Sequence, residues 1–296
     1  MYLYSGMADV VAARGDTTLV PALESIWHDI VDKKMHINGG LGAVPGIEGF
    51  GPAYELPNKD TYDETCAAVG NVLFNYRMFL ATGDAKYVDV AEVALYNNVL
   101  AGVNLEGNRF FYVNVLQADG KKSFNKGRQG RQPWFKTACC PSNISRFVPS
   151  LPGYVYAVKD RAVYVNLFLS NTSNLTVAGK KVALTQSTGY PYCGDINIKV
   201  DRNSCGQFDL KIRIPGWLKS RPLPGELYSY SDNKRLGYTV TVNGKPVEKA
   251  VGNDGYLAIS RRWKKGDRIE LALDMQPRTV KAHSQVAADR GRLAIE

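Results

Sequence analysis

The chain has 296 residues, of which 45% are hydrophobic and 22% are charged, a composition ordinary for a globular protein. This composition excludes a disordered or collagen-like chain, and the length is enough for two compact domains. The sequence contains no run of about 18 uncharged apolar residues, so we predict no transmembrane helix and no membrane partner. The N-terminus lacks the charged start, apolar stretch and cleavage site of a signal peptide.

The net charge of +9 and the pI near 9.2 raise the question of a polyanionic partner. The basic residues are scattered, however, and the two densest groups are expected in a solvated loop and a β-turn. These groups are Lys121, Lys122, Lys126, Arg128 and Arg131, and Arg261, Arg262, Lys264 and Lys265. We therefore predict no nucleic-acid partner. On charge alone, a polysaccharide that contains uronic acids would be an equally good partner.

The first half of the sequence has the periodicity of amphipathic helices. Residues 21–33, 62–80 and 85–103 repeat apolar residues at helical spacing. Between the last two segments, Gly83 has the backbone freedom that ends a helix and Asp84 can cap the next one. The pattern predicts an αα-hairpin.

From about Gly153 onward the hydrophobic period changes from near four to two, which is typical of strands. Turn residues separate the short apolar segments, and Asn243-Gly244 is a strong β-hairpin signal. The predicted strands cover residues 155–158, 162–169, 175–177, 195–200, 208–214, 238–242, 256–259 and 268–273. Many short strands without helix-length insertions predict an antiparallel β-sandwich.

The change of period divides the chain into a predicted helical domain over residues 1–152 and a β-sandwich part, of one or more domains, over residues 153–296. The chain opens within an amphipathic helix that has no cap, and it stops where a strand begins. We therefore interpret it as an internal fragment of a larger protein. The localisation, cytoplasmic or periplasmic, stays open on this interpretation.

The chain has five cysteines, and because this number is odd they cannot all form disulfides within the chain. Cys139 and Cys140 are a poor candidate for a mutual disulfide, because adjacent Cα atoms lie about 3.8 Å apart and disulfides prefer about 5.5 Å. Cys193 and Cys205 lie in strand-like sequence. They are either buried free thiols or, in an oxidising compartment, a bridge.

Glu64 and Cys66 lie at the predicted start of a helix, and Cys139 and Cys140 begin another segment far along the chain. Thiolates with one carboxylate form a ligand set suited to tetrahedral zinc. The spacing differs from that of a zinc finger, which would carry paired Cys-x-x-Cys ligands. Buried cysteines packed among helices explain the same residues, so both interpretations are open at this point.

Glu48 lies in the sequence Gly46-Ile47-Glu48-Gly49-Phe50-Gly51, within a long loop rich in glycine and proline. It is either a solvated loop residue or, together with Glu64, one of the two carboxylates that most glycosidases use. Nothing else in the loop separates these alternatives.

A set of motifs extends across both halves of the chain. They are Gly46-Ile47-Glu48-Gly49-Phe50, Tyr54-Glu55-Leu56-Pro57-Asn58, Tyr62-Asp63-Glu64-Thr65-Cys66-Ala67, Phe110-Phe111-Tyr112-Val113-Asn114, Trp134-Phe135, Cys139-Cys140-Pro141-Ser142-Asn143, Arg213-Ile214-Pro215-Gly216-Trp217 and Gly255-Tyr256-Leu257. This set resembles glycoside hydrolase family 127, the β-L-arabinofuranosidase family. The resemblance implies part of an (α/α)6 helical barrel followed by an antiparallel β-sandwich. It also implies a retaining glycoside hydrolase that releases β-L-arabinofuranose, or a related sugar, from plant-type glycans.

The resemblance implies that zinc (Zn²⁺) is the cofactor and that Glu64, Cys66, Cys139 and Cys140 hold it. The first cysteine of the adjacent pair is the nucleophile of the family, which assigns that role to Cys139. A free cysteine has a pKa of about 8.5 and is mostly a thiol at neutral pH, whereas metal coordination deprotonates it. A zinc-bound Cys139 would therefore be ready to attack the sugar.

The acid/base glutamate of the family falls on Glu48, although Ile47 and Gly49 depart from the Gly-Glu-Ala-Phe-like pattern. The substrate-contacting tyrosine falls on Tyr112. We assign no role to the histidines, because the sugar-binding histidines of the family belong to barrel segments that precede Met1.

Two alternatives to an active enzyme accompany this interpretation. One is a carbohydrate-binding or structural protein in which the fold persists without turnover. The other is a purely structural zinc protein, which leaves Glu48 without a role. We expect little or no activity from residues 1–296 alone, since part of the pocket would be missing, and we predict a homodimer through the β part.

Overall fold

The structure, a computed structural model, describes residues 1–219 and 221–296. Within these residues the chain forms two compact units. The first unit consists of Met1–Ser150, Pro222–Ser231 and Thr279–Glu296, and the second consists of Leu151–Arg221 and Asp232–Arg278. No helix in the described ranges is long and apolar enough to cross a membrane.

The first unit contains five α-helices in its described residues. They are α1 (Tyr2–Arg14), α2 (Val20–Lys33), α3 (Thr65–Thr82), α4 (Ala85–Ala94) and α5 (Cys139–Phe147). Helix α3 is buried over most of its length, because α1, α4 and α5 all pack against it. The helical character predicted for the first half of the chain is confirmed.

Helices α3 and α4 form the predicted αα-hairpin. Helix α3 ends at Gly83, which has a φ of 79° and donates its N–H to the carbonyl of Phe79. Asp84 caps α4, since its carboxylate accepts a hydrogen bond of 2.9 Å from the N–H of Lys86. Both turn residues therefore act as the sequence predicts.

The segment predicted as one helix over residues 85–103 is irregular in its second half. After α4 it continues as a π-helix over Leu95–Val99 and a 3₁₀ turn over Leu100–Gly102. Asn98, in the π-helix, is fully buried and donates a hydrogen bond of 2.7 Å to the carboxylate of Asp63. The wider turn thus carries a polar side chain to the residue that precedes Glu64.

Besides short 3₁₀ turns, the described residues contain one further short α-helix and thirteen strands. They are α6 (Pro152–Val155), β1 (Tyr156–Lys159), β2 (Ala162–Val165), β3 (Asn171–Val177), β4 (Lys180–Thr188), β5 (Asp195–Asn203), β6 (Gln207–Arg213), β7 (Tyr228–Tyr230), β8 (Tyr238–Val242), β9 (Lys245–Pro246), β10 (Tyr256–Arg262), β11 (Arg268–Leu273), β12 (Thr279–Ala282) and β13 (Ala294–Ile295). Alternate residues are buried along β5 and β11, as a period of two predicts.

The second unit contains two sheets. One has the strand order β1-β2-β6-β10 and the other has the order β3-β4-β5-β11-β8-β9. Every named pair in these sheets is antiparallel except β2 with β6, which is parallel and departs from the predicted antiparallel arrangement. Between β2 and β6 the chain passes through β3, β4 and β5 of the other sheet. It then re-enters the first sheet at β6, which runs in the same direction as β2.

The hairpin predicted at Asn243-Gly244 connects β8 and β9. Both residues have a positive φ, 53° for Asn243 and 73° for Gly244. Two consecutive left-handed residues define a type I′ turn, which matches the twist of paired strands. Val242 pairs with Lys245 across this turn.

Two late segments of the chain belong to the helical unit. They form a sheet of order β13-β12-β7, and Tyr228 donates a hydrogen bond of 2.8 Å to the carbonyl of Met35. Asn58 donates a hydrogen bond of 2.7 Å to the carboxylate of Asp289. These contacts hold both ends of the loop between α2 and α3.

Candidate active site

Three cysteines and one glutamate meet where the N-termini of α3 and α5 approach each other. Glu64 is the N-cap of α3 and Cys66 lies in its first turn, while Cys139 and Cys140 are the first two residues of α5. Backbone N–H groups in a first turn have no helical partner and carry partial positive charge, which favours thiolates and carboxylates there. The sequence places all four groups at such positions.

The four side chains are close enough to share one ion. Their potential ligand atoms all lie within 4.8 Å of one another. The sulfur of Cys139 lies 3.9 Å from that of Cys140 and 3.6 Å from Oε1 of Glu64. The sulfur of Cys140 lies 3.5 Å from the same oxygen. The structure therefore brings together all four predicted ligands, and they could hold a metal ion.

The charges of these groups are mutually unfavourable when no cation lies among them. The hydrogen bond with Cys66 raises the pKa of Cys140, and burial raises it further. Burial also raises the pKa of Cys139, whereas the hydrogen bond from Cys140 lowers that of Cys66. A metal ion would let all three ionise.

Tyr112 lies directly beside Cys139. Its hydroxyl oxygen is 3.0 Å from the Cys139 sulfur, and burial raises its pKa. A short β-bridge between Glu64 and Val113 aligns the two segments, and the N–H of Thr65 donates to the carbonyl of Tyr112 at 3.1 Å. The backbone that carries Glu64 therefore also fixes Tyr112.

A buried network of hydrogen bonds stabilises the alignment of the segments that carry Glu64 and Tyr112. Asp63 accepts hydrogen bonds from Asn98 at 2.7 Å and from Asn38 at 3.0 Å. Asn114 donates to Asn98 at 3.1 Å and to the hydroxyl of Thr65 at 2.7 Å. Burial raises the pKa of Asp63 to about 7, although these donors favour its charged form. The network fixes the residues on both sides of Glu64.

One glycine of the preceding loop is required by this network. A Cβ on Gly40 would come within 1.8 Å of Oδ1 of Asp63 and 2.1 Å of the Asn98 amide nitrogen. No larger residue fits there without moving both side chains. Gly40 thus lets the loop backbone approach the buried carboxylate closely.

Glu48 lies farther from the cluster, on an exposed turn. It follows the 3₁₀ turn Pro45–Ile47 and has a φ of 49°. The hydroxyl of Tyr62 donates a hydrogen bond of 2.7 Å to Oε1 of Glu48, and the Tyr62 ring meets the Tyr112 ring edge to face at 6.1 Å between centroids. Two tyrosines therefore lie between Glu48 and Cys139.

Sequence reasoning missed Tyr62 and Lys126 as parts of this site. Lys126 was expected in a solvated basic loop, but its ammonium lies 4.3 Å from the centroid of the Tyr112 ring and 3.7 Å from Oε1 of Glu48. Periodicity and composition contain no signal for such a contact, because the residues that meet come from three separate segments.

The three histidines lie among residues outside the cluster. His36 is buried against the hydroxyl of Thr61 at 3.1 Å, and burial lowers its pKa to about 4. His28 pairs with Asp32, and the ring of His283 stacks on that of Tyr54. Each histidine contacts residues outside the four-residue cluster.

Two family models match this chain and define the class of protein to which it belongs. Residues 3–153 match the family described as the beta-L-arabinofuranosidase GH127 catalytic domain, and residues 162–275 match the GH127 middle domain. Both are parts of one family of glycoside hydrolases. The chain belongs to this family, glycoside hydrolase family 127, as its motifs indicate.

Individual relatives resemble the whole of this chain. A non-reducing end beta-L-arabinofuranosidase from Bifidobacterium longum subsp. longum is 33% identical, over 99% of this chain and 43% of the relative. A solved GH127 beta-arabinofuranosidase is 56% identical with a TM-score of 0.94, covering 100% of this chain and 45% of that one. A GH127 beta-L-arabinofuranosidase from Geobacillus stearothermophilus T6 is 34% identical with a TM-score of 0.89, and the coverage is again 100% and 45%. The chain spans less than half the length of these relatives.

Proposed function

We propose that a full-length protein carrying this chain is a retaining glycoside hydrolase that releases β-L-arabinofuranose, or a related sugar, from plant-type glycans. The observation that carries the proposal is the Glu64, Cys66, Cys139 and Cys140 cluster, with Tyr112 beside Cys139, in a chain of this family. The Tyr112 hydroxyl lies 3.0 Å from the Cys139 sulfur, where it could also contact a sugar bound to that sulfur.

Zinc is the ion that we propose for the cluster. In a tetrahedral site with Zn–S bonds of about 2.3 Å and Zn–O bonds of about 2.1 Å, two sulfurs lie about 3.8 Å apart and a sulfur and an oxygen about 3.6 Å apart. The corresponding distances here are 3.9 Å between the sulfurs of Cys139 and Cys140, and 3.6 and 3.5 Å from these sulfurs to Glu64. The distances among Cys139, Cys140 and Glu64 therefore fit zinc, and the Cys66 sulfur lies within 4.8 Å of their ligand atoms. When bound, zinc would supply the charge that keeps the thiolates ionised.

Cys139 and Glu48 would carry out the reaction. The Cys139 thiolate attacks the anomeric carbon while Glu48 protonates the oxygen of the leaving group, and a thioglycosyl intermediate results. Glu48 then removes a proton from water, which displaces the sulfur and restores the thiolate. Two inversions give net retention of configuration. Tyr112, beside the nucleophile, would contact the sugar during both steps.

The architecture of the complete protein is part of the same proposal. Residues 1–152 would form the C-terminal portion of an (α/α)6 barrel, and residues 153–296 would form the β-sandwich part, except for Pro222–Ser231 and Thr279–Glu296, which belong to the first unit. The five α-helices of the described first unit, and the two sheets of the second unit, support this arrangement. A homodimer through the β part remains a prediction.

Turnover by the full-length protein tests the proposed function. We expect hydrolysis of an aryl β-L-arabinofuranoside with retention of configuration, in preference to other aryl glycosides. Replacing the nucleophile, Cys139→Ala, should lower kcat/KM by about 10⁴-fold or more. The matched control Cys193→Ala changes an exposed cysteine of the second unit and should leave turnover unchanged. An unchanged rate for Cys139→Ala would exclude it as nucleophile. A folded, zinc-containing protein without turnover would instead indicate a structural or binding role.

A further inference from the structure

The carboxylate of Glu48 has few contacts to hold it. Its side chain is 58% exposed, and it lies on a turn bordered by Gly46 and Gly49. Among the described residues its side-chain partners are Tyr62, whose hydroxyl donates to Oε1 at 2.7 Å, and Lys126, whose ammonium lies 3.7 Å from the same oxygen. The backbone of the turn alone would leave such a side chain free to rotate.

Tyr62 is itself held firmly. It is 5% exposed, and its backbone N–H donates to the carbonyl of Gly42 at 3.0 Å. Its ring packs against Tyr112 and belongs to the same buried cluster as Cys66 and Cys140. The hydroxyl of Tyr62 is therefore fixed relative to the thiols, and through it so is Oε1 of Glu48.

Lys126 approaches from the opposite segment, and its position is also determined. The preceding residue, Asn125, is fully buried, and its side-chain oxygen accepts hydrogen bonds from the N–H groups of Tyr112 at 2.7 Å and Val113 at 3.3 Å. A tight turn follows, in which the N–H of Asn125 donates to the carbonyl of Arg128 at 2.7 Å. This turn is thus anchored to the strand-like segment that carries Tyr112.

The ammonium of Lys126 makes four contacts that converge on one place. It lies 4.3 Å from the centroid of the Tyr112 ring and 5.0 Å from that of Tyr62. It also donates a hydrogen bond of 3.2 Å to the hydroxyl oxygen of Tyr62, next to its ion pair with Glu48. Cation–π contacts on two ring faces favour this position over free solvation.

We propose that Tyr62 and Lys126 are positioning residues that orient Glu48 for proton transfer, an inference that rests on the proposed role of Glu48 as acid/base. The Tyr62 hydroxyl donates to Oε1 and the Lys126 ammonium lies 3.7 Å from the same oxygen, so Oε1 is the acceptor in the protonated acid. The proton that passes to the leaving oxygen is then carried by Oε2, and the same oxygen takes the proton from water in the second step. The pair thereby selects which carboxylate oxygen faces the substrate.

Leaving-group dependence tests this inference in the full-length protein. We would compare kcat/KM for a 2,4-dinitrophenyl β-L-arabinofuranoside, whose leaving group needs little protonation, with that for the methyl glycoside, which needs a well-placed acid. Tyr62→Phe and Lys126→Met should each lower kcat/KM for the methyl glycoside by about tenfold to a hundredfold. The dinitrophenyl glycoside should lose less than about threefold. Lys126→Arg should recover part of the loss because it restores the cation.

The control variant is Lys122→Met, in the same loop. Lys122 pairs with the exposed Asp60 and should leave both substrates unaffected. Zinc content and the thermal midpoint, measured for every variant, identify a change that acts through folding. Lys126 is exposed, so its replacement tests the inference even where Tyr62→Phe lowers stability.

Glu48→Gln separates the two proposals. One outcome is that Glu48→Gln lowers kcat/KM selectively for the methyl glycoside, whereas Tyr62→Phe and Lys126→Met lower it equally for both substrates or leave both unchanged. The positioning inference is then wrong and the acid assignment stands. If Glu48→Gln has no selective effect, the acid assignment is wrong and the inference falls with it. Selective loss in all three variants, with none for Lys122→Met, supports both.

Discussion

The two carboxylates proposed to serve the reaction are held in opposite ways. Glu64 is the N-cap of α3, bridged by backbone to Val113 and supported by a buried network of amides. Glu48 lies on an exposed turn and is held by the side chains of Tyr62 and Lys126. The carboxylate proposed to hold an ion is thus fixed by the backbone around it, whereas the carboxylate proposed to exchange protons with water keeps access to solvent.

This comparison has a consequence for mutations. Changes around Glu64 should affect metal binding and folding, because its position is part of the core. Changes around Glu48 should affect the rate of particular substrates, because its position depends on a few side chains near the surface.

Removal of a metal ligand should have the largest effect. Cys66→Ala takes one sulfur from the cluster without touching the proposed nucleophile, and we expect most of the zinc to be lost and kcat/KM to fall by about a thousandfold or more. Elemental analysis gives the metal content and an aryl glycoside assay gives the rate. Cys205→Ala, at a buried cysteine of the second unit, is the matched control. Full zinc content in Cys66→Ala would contradict the assigned ligand set.

Neutralising Glu48 should come next in size. Glu48→Gln keeps the shape of the side chain but cannot donate or accept the proton, so kcat/KM for a glycoside with a poor leaving group should fall by about a hundredfold or more. Zinc content should stay unchanged, in contrast to Cys66→Ala. A loss of zinc from Glu48→Gln would mean that the two carboxylates are not held independently.

The buried His36, in the loop that also carries Glu48, should make the folding stability depend on pH. Burial lowers its pKa to about 4 in the folded chain from 6.5 in the unfolded one, so the unfolded state takes up a proton first as the pH falls. The contribution of His36 to stability is therefore lost between about pH 6.5 and pH 4, by about 3 kcal/mol. Asp63, whose pKa burial raises to about 7, changes stability in the opposite direction over this range. The comparison with His36→Gln isolates the histidine, and that variant should lose less stability on acidification than the unchanged protein, measured as the thermal midpoint against pH. Identical slopes for the two proteins would show that His36 is not the group that titrates.

Disruption of the network beneath Glu64 should have the smallest effect of the four. Asn98→Ala removes a donor from the buried Asp63 carboxylate and the acceptor of Asn114, which costs about 1–3 kcal/mol. Asn108→Ala, an exposed asparagine in a nearby turn, should cost less than about 0.5 kcal/mol. Denaturant unfolding measures both changes. Equal stability of the two variants would mean that the network contributes nothing to the hold on Glu64.

Local chemistry predicted much of the fold. The helix end at Gly83, the cap at Asp84 and the hairpin at Asn243-Gly244 all follow from interactions within a few residues, and each is present. The π-helix at Leu95–Val99 and the parallel pair of β2 and β6 were not predicted. Both depend on partners that are distant in sequence.

The candidate site divides in the same way. The sequence by itself determined the period of each half, its helix caps and hairpin, and, through its motifs, the family and the residues of the cluster. Only the tertiary structure decided that Cys139 contacts Glu64, 75 residues away in the sequence, and that the Lys126 ammonium lies over two tyrosine rings. It also decided that Pro222–Ser231 and Thr279–Glu296 belong to the helical unit. Caps and periods act over one or two turns of chain, whereas these contacts exist only once distant segments have packed together.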